Sequence, residues 1–440
     1  MKAWRGELLS VPEDPAIAGA EAVSHHEDGL LVVEDGLVVA CGPHSDLAGS
    51  FAGVPVEKLD GLIVPGFVDA HVHYPQIERI ASHGEQLMQW LERPIFPAEK
   101  AFADRGHADS VAAFFLDELL RHGTTSALVF ATVHPGSVDA LFEAALTRDM
   151  RIVSGKVLMD LGPEGLRDSV ESGRADTEAL IARWRGRGRL GYAVTPRFAP
   201  TSSAEQLAGA GAMVAAHRDV LMHTHLSENP GEIEFVAGRF PEAIDYLDVY
   251  DRFGLVGPRS VFAHCVHMSD RALARMAEAG AGIAFCPTSN MFLGSGLFDL
   301  AQADRHALKL GIGTDVGAGT TLSMLHTLGE AYRTCQLRGA SLDPFRALHF
   351  ATAGGARVMG IADRVGGLLP GQEADFVLLD PAATPLLARR CAGASLHDRL
   401  FALQILGDDR AIAATYLRGR RAHARPAGRA GFEEASSIAF

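Results

Sequence analysis

The sequence predicts an α/β protein built on a (β/α)₈ barrel, with a small β-sandwich domain formed by both chain ends. Three observations lead there. Between about residues 63 and 317 lie eight short apolar runs of strand character. Several stretches between them carry apolar residues at helical spacing. Both chain ends are β-type with turns and lack helical periodicity.

Taken in order, residues 30–41 hold two β-rich runs on either side of Asp35 and Gly36, a strong short hairpin signal. The eight runs follow: Ile63–Val72, Thr125–Phe130, Ile152–Met159, Tyr192–Phe198, Leu221–Leu226, Val261–Met268, Ile283–Cys286 and Leu310–Val316. Residues 109–121, 137–147 and 270–279 have the spacing of amphipathic helices. A doubly wound open sheet is the alternative arrangement of such alternation. After the eighth run, Pro370 and Gly371 introduce a strand over Ala374–Leu379, and a last run, Ile412–Arg418, stops at Gly419. The division expected is residues 1–65 and 365–440 in the small β domain and 66–364 in the barrel. About the last twenty residues, with Gly428 and Gly431, read as a loose tail.

Composition excludes several classes. A formal net charge of −14 gives no basic footprint for nucleic acid or an anionic membrane. No uninterrupted apolar run reaches the roughly 18 residues of a membrane span. Glu7 precedes any apolar stretch long enough for a signal peptide, so a cytoplasmic location is expected. The five cysteines are scattered without a C-x-x-C pair, which argues against a disulfide framework or a thiolate zinc site.

Polar residues gather at the carboxyl ends of the runs, where barrel enzymes place their chemistry. The first ends in Asp69, His71 and His73, and strand alternation sends these three to one face. A histidine pair at this spacing can also be a satisfied core or rim pair. Other strands tip the balance: the fifth ends in His223, His225 and then Glu228, the sixth carries His264, and the eighth leads to Asp315. Histidines and an aspartate converging from separate strands make a nitrogen–oxygen site suited to zinc with a position left for water; the same set can hold iron.

The run Pro65–His73 resembles the amidohydrolase signature, and the later His and Asp positions match it in order. Within that superfamily several stretches resemble the guanine deaminases: His73 through Gln76, Gly84 through Leu87, Thr224 through Asn229, Cys286 through Asn290 and on to Gly296, Gly313 through Gly317, and Leu406 through Asp409. The resemblance covers nearly the whole chain. It implies His71, His73, His225 and Asp315 as metal ligands for one zinc per chain. It implies Gln76, Arg197 and Phe198 as purine contacts, Glu228 and Asp315 as proton carriers, and His264 beside the reacting water. It also implies a homodimer acting on guanine. His223 departs from the pattern and reads as a buried group behind the ligands rather than a competing ligand, because Glu228 follows His225 at the family's spacing.

The residue chemistry agrees. Zinc lowers the pKa of water from about 15.7 towards about 7. Glu228 can protonate ring nitrogen 3, and Asp315 can carry the water's proton to the departing amine. Arginine presents only donors, so Arg197 suits a carbonyl, and Phe198 can cover a purine face. Neither would stand out without the resemblance. The chain lacks P-C-x-x-C, which excludes a cytidine-type deaminase as far as motifs can. The fourth run carries no lysine to bridge two metals, and Lys156 lies on the third, so one metal is expected. The competing readings are a cytosine, adenosine-type or triazine hydrolase on the same scaffold, against which Gln76 and Arg197 argue, and a metal-free assembly protein, against which the complete ligand set argues.

Overall fold

The computed structural model describes residues 1–83 and 86–426. Strands β1 (Lys2–Ser10), β2 (Ser24–Glu34), β3 (Leu37–Pro43) and β4 (Val56–Pro65) come first. Then come β5 (Phe67–His73), β6 (Thr124–Phe130), β7 (Arg151–Gly155), β8 (Val157–Leu158), β9 (Gly191–Pro196), β10 (Leu221–Leu226), β11 (Ser260–His264), β12 (Gly282–Phe285) and β13 (Lys309–Ile312). Last are β14 (Phe376–Leu379), β15 (Ile412–Leu417) and β16 (Arg420–Ala424). Strands β5, β6, β7 and β9 to β13 pair in parallel and in chain order, with β8 beside β9, and form the expected barrel.

The seam between β13 and β5 is closed beyond the end of β13. Asp315 N donates to His71 O at 2.9 Å, and His73 N donates to Val316 O at 2.9 Å. The approach is close enough that a Cβ on Gly313 would lie 2.9 Å from both Cys286 Sγ and His71 Cβ, so only glycine fits there. Val68, Ala70, Leu128, Val153, Leu221 and Val261 fill the barrel interior, and the helical turn Gly355–Val358 packs Ala356 and Val358 against them.

The chain ends share one seven-stranded sheet, in the order β16-β15-β14-β4-β1-β2-β3. Asp35 and Gly36, both at positive φ (51° and 83°), make the β2–β3 turn read from the sequence. Trp4 on β1 and Tyr416 on β15 stand three strands apart, about 14 Å in a flat sheet. Their rings nevertheless lie 5.9 Å apart, with Phe376 against both. The sheet is therefore curled round its own aromatic core.

Four expectations need correction. The first run is two strands: Gly66 separates β4, in the end sheet, from β5, in the barrel. The ladder of β5 with β6 shifts register between Asp69 and Val72, which breaks the alternation expected for residues 69, 71 and 73. The C-terminal part is not purely β: helices Pro385–Cys391 and Leu396–Leu406 lie between β14 and β15. The second buries Leu400, Ala402, Leu403 and Gln404, and burial on more than one side blurs the one-face pattern by which helices are read. Finally, the stretch read as a loose tail begins with a paired strand, β16; residues 427–440, with Gly428 and Gly431, lie outside the described residues.

Candidate metal centre and active site

The site forms where β5, β10, β11 and the segment after β13 converge. His71, His225, His264 and Asp315 each place a ligand atom within 4.8 Å of the others. His73 completes the group: its Nε2 lies 3.2 Å from both His71 Nε2 and His225 Nε2. Asp315 Oδ1 stands 3.1 Å from His71 Nε2 and 3.3 Å from His73 Nε2. Ligands about 2.0–2.1 Å from a tetrahedral zinc stand about 3.3 Å apart, so His71, His73, His225 and Asp315 fit such an ion. Asp69 does not join them. It accepts from Thr314 N at 3.0 Å and from the Thr314 hydroxyl, tying the eighth strand's end to the first.

Hydrogen bonds aim the imidazoles. His225 Nδ1 lies 2.7 Å from the carbonyl oxygen of Arg197, which can only accept; the proton therefore sits on Nδ1 and the Nε2 lone pair faces the cluster. His71 Nδ1 is 2.7 Å from His223 Nε2, so His223 stands behind a ligand, as expected. Burial pushes His73 down to about 4, and His223 and His225 well below the ordinary histidine value, which favours neutral rings able to bind metal. Burial alone would raise Asp315, yet His71 and His73 hold it well below the usual carboxylate range.

His264 differs from the tight trio. Its Nδ1 pairs with Asn290 Oδ1 at 2.9 Å, and its buried Nε2 has no hydrogen-bond partner among the described residues. That nitrogen faces Glu228 Oε2 at 3.5 Å and Asp315 Oδ2 at 3.7 Å. With the Nδ1 proton given to Asn290, the Nε2 lone pair is turned toward these two carboxyl groups. Burial, with the Asp315 charge adding to it, pushes Glu228 up to about 8; Ser295 Oγ donates to its Oε1 at 3.0 Å. Glu228 thus carries a proton near neutrality and can give it away. Ser227, His264, Cys265 and Asp315, none of them glycine, all have positive φ (50°, 72°, 52° and 50°). Backbone strain is concentrated where side chains must be re-aimed.

A cavity opens on this cluster, lined by His73, His225, Glu228, His264 and Asp315 on one side. Gln76, Arg197 and Phe198 line it too, as expected, together with Leu87, Trp90, Leu91, Leu293 and Ala318. Sequence reading missed Glu99. It is buried on the helical turn Phe96–Lys100 and accepts from Arg197 Nη1 at 2.6 Å, Arg197 Nη2 at 3.0 Å and Gln76 Nε2 at 3.0 Å. Gly317 N donates to Gln76 Oε1 at 3.2 Å, which fixes the amide's orientation, and Gln76 Nε2 also lies 3.2 Å from His73 Nδ1. No spacing rule marks Glu99, since it sits outside the strand ends. Lys156 stays away from the metal cluster, ion-paired with Asp168 at 2.6 Å. Of the stretch Gly84 through Leu87, Gly84 and Glu85 lie outside the described residues.

Comparison with known proteins agrees with this geometry. Residues 62–422 match the model of the amidohydrolase family. The chain is 48% identical to the guanine deaminase of Escherichia coli over 97% of its own length and 98% of that protein's. The solved structure of E. coli guanine deaminase superposes with a TM-score of 0.94 over 97% of this chain and 100% of that one. A probable guanine deaminase of Deinococcus radiodurans is 42% identical over 93% of this chain and 96% of that protein. The guanine deaminase of C. acetobutylicum, solved with guanine bound in its active site, is 27% identical and superposes with a TM-score of 0.88, covering 96% and 99% of the two chains. A barrel whose strand ends gather histidines and an aspartate round one metal-sized space, matched along most of its length, identifies this chain as a member of the amidohydrolase family.

Proposed function

We propose that this chain hydrolyses guanine to xanthine and ammonia, using one zinc ion per chain, and that it works as a cytoplasmic homodimer whose catalytic barrel spans 66–364. The observation that carries the reading is one cavity with a metal-ligand cluster and the buried Glu228 carboxyl on one side and an arginine–glutamine pair on the other. The similarity to guanine deaminases over nearly the full chain supports the substrate. Among the described residues no helix is long and apolar enough to cross a membrane.

His71, His73, His225 and Asp315 hold the zinc in this reading; iron is the alternative, since the same donors accept it. When bound, such an ion supplies a nucleophilic water at neutral pH and a positive charge beside it. The chain's own groups move the protons. Glu228 protonates N3 as the water oxygen bonds to C2, and Asp315 takes one proton from that water. Asp315 then passes its proton to the exocyclic amine, the C2–N bond breaks, and the remaining hydroxyl proton returns to Glu228. Ammonia and xanthine result, and both carboxyls are restored. His264 Nε2 lies within reach of both carriers and orients the water between them. Arg197 and Gln76 read the carbonyl and ring-nitrogen edge of the purine, and Phe198 covers a face.

The test is a purified-protein assay following xanthine and ammonia from guanine, alongside metal analysis. Turnover with close to one equivalent of zinc is expected. Preference for adenine or cytosine over guanine overturns the substrate; two metal equivalents overturn the mononuclear site.

A further inference from the structure

Glu99, a charged side chain behind the recognition wall, has no task in the chemistry above. It is 2% exposed, and Arg197 is 3% exposed. Glu99 engages both Arg197 terminal nitrogens and also Gln76 Nε2, while Phe96, three residues earlier, lies 5.3 Å from the Arg197 guanidinium carbon. Gly317 N fixes the other end of the Gln76 amide. Both reading side chains therefore take their direction from one carboxylate, and that carboxylate is the counter-charge of Arg197.

We propose that Glu99 is a positioning residue that aims Arg197 and Gln76 together and cancels the Arg197 charge, so that the pocket admits a neutral purine and lets go of an anionic product. The proposal rests on the guanine reading. An arginine has five N–H groups, and the Glu99 contact occupies two, leaving donors for a purine carbonyl. The pinned fork also loses less freedom on binding than a loose one. That counter-charge matters at the other end of the reaction. Replacing the amine of guanine by a carbonyl makes the ring more acidic, and xanthine loses a ring proton near neutrality. A bare guanidinium in a dry cavity would hold that anion, because charges attract strongly where water is excluded. Beside Glu99 the guanidinium already has its counter-charge.

The test compares the native protein with Glu99→Gln, Glu99→Asp, Arg197→Met and the double variant Glu99→Gln/Arg197→Met. Steady-state rates with guanine are measured, and xanthine inhibition is measured below and above the pH of xanthine ionisation. Glu99→Gln should raise KM for guanine about 10-fold or more with a smaller change in kcat, keep its metal, and bind xanthine more tightly as pH rises. Glu99→Asp keeps the charge and should recover the native pH profile of xanthine inhibition. In the Arg197→Met background the same Glu99→Gln change should leave the pH dependence of xanthine inhibition unaltered, since no guanidinium remains to be exposed, and should raise KM by less than it does alone, acting only through Gln76. That double variant buries neither charge, so it carries the test if Glu99→Gln alone fails to fold. A native-like KM with pH-independent xanthine inhibition in Glu99→Gln overturns the proposal, as does a further full loss on top of Arg197→Met. Absence of guanine turnover by the native protein is a separate result, which removes the functional reading itself.

Discussion

The two walls of the cavity are built on different principles. On the metal wall, His71, His73, His225 and His264 sit on strands β5, β10 and β11, and backbone ladders fix where they point. On the recognition wall, Gln76 lies in the turn after β5, Arg197 just past β9, and Leu87, Trp90 and Leu91 in short irregular helical pieces, with Glu99 on another such piece behind Arg197 and Gln76. These side chains take their direction from one another, chiefly through Glu99. Arg197 and Gln76 reach both walls: the backbone carbonyl of Arg197 holds His225 Nδ1 while its side chain lines the cavity, and Gln76 Nε2 lies 3.2 Å from His73 Nδ1. The difference teaches that rate and substrate choice are separable at Arg197, because a side-chain change there leaves the carbonyl on His225 in place.

The largest effect should come from emptying the metal wall. Chelator-dialysed protein, or His225→Ala, should fall to background turnover with every substrate, and zinc should restore only the former. Activity persisting in metal-depleted protein would dissolve the distinction between the walls. Next is Glu228→Gln, expected to lower guanine turnover by roughly 10²-fold or more with metal content unchanged, because Glu228 carries a proton rather than the ion. Near-normal turnover in that variant returns Glu228 to a structural role. Arg197→Met should act on choice: guanine kcat/KM drops about 10- to 100-fold, the cost of losing a charged hydrogen bond, while adenine changes less. Metal content should hold, because methionine keeps the backbone carbonyl that orients His225. A variant that retains the full guanine preference, or that loses metal, breaks the comparison.

The same difference decides what could be read from the sequence. The barrel was legible because its strands are short apolar runs in chain order, and the metal ligands were legible because they end those runs. His71 and His73 are legible as a strand-end pair, whereas Asp69, expected on their face, accepts from Thr314 across a register shift that lies between Asp69 and Val72. A bulge leaves no mark in residue types. Arg197 and Gln76 stood out only through resemblance, and Glu99 not at all, because a carboxylate on a helical turn looks like any solvated charge until the arginine it faces is known. The helices of the C-terminal part escaped for a related reason: where an element is buried on more than one side, its one-face periodicity fades.

The smallest effect expected separates His223 from the ligands it supports. For His71 to bind metal through Nε2, its Nδ1 must carry a proton and donate it to His223 Nε2, 2.7 Å away. His223 is then protonated on Nδ1, and that nitrogen is buried with no partner among the described residues. The imidazole therefore accepts one useful hydrogen bond and leaves one donor unmet. His223→Leu removes both, so apo stability should change by about 1–3 kcal/mol at most, one unsatisfied group being exchanged for another. What it loses is the acceptor that fixes the His71 tautomer, and supports of this kind are worth about 10- to 100-fold in metal affinity. His223→Gln offers a carbonyl oxygen at the same depth and should recover much of that affinity. With saturating zinc both variants should turn over guanine at close to the native kcat, since His223 touches neither substrate nor proton carriers. Zinc competition against a chelator reads the effect directly. An unchanged affinity in His223→Leu would make His223 a packing residue, whereas a ligand-sized loss that excess zinc cannot reverse would place it among the ligands.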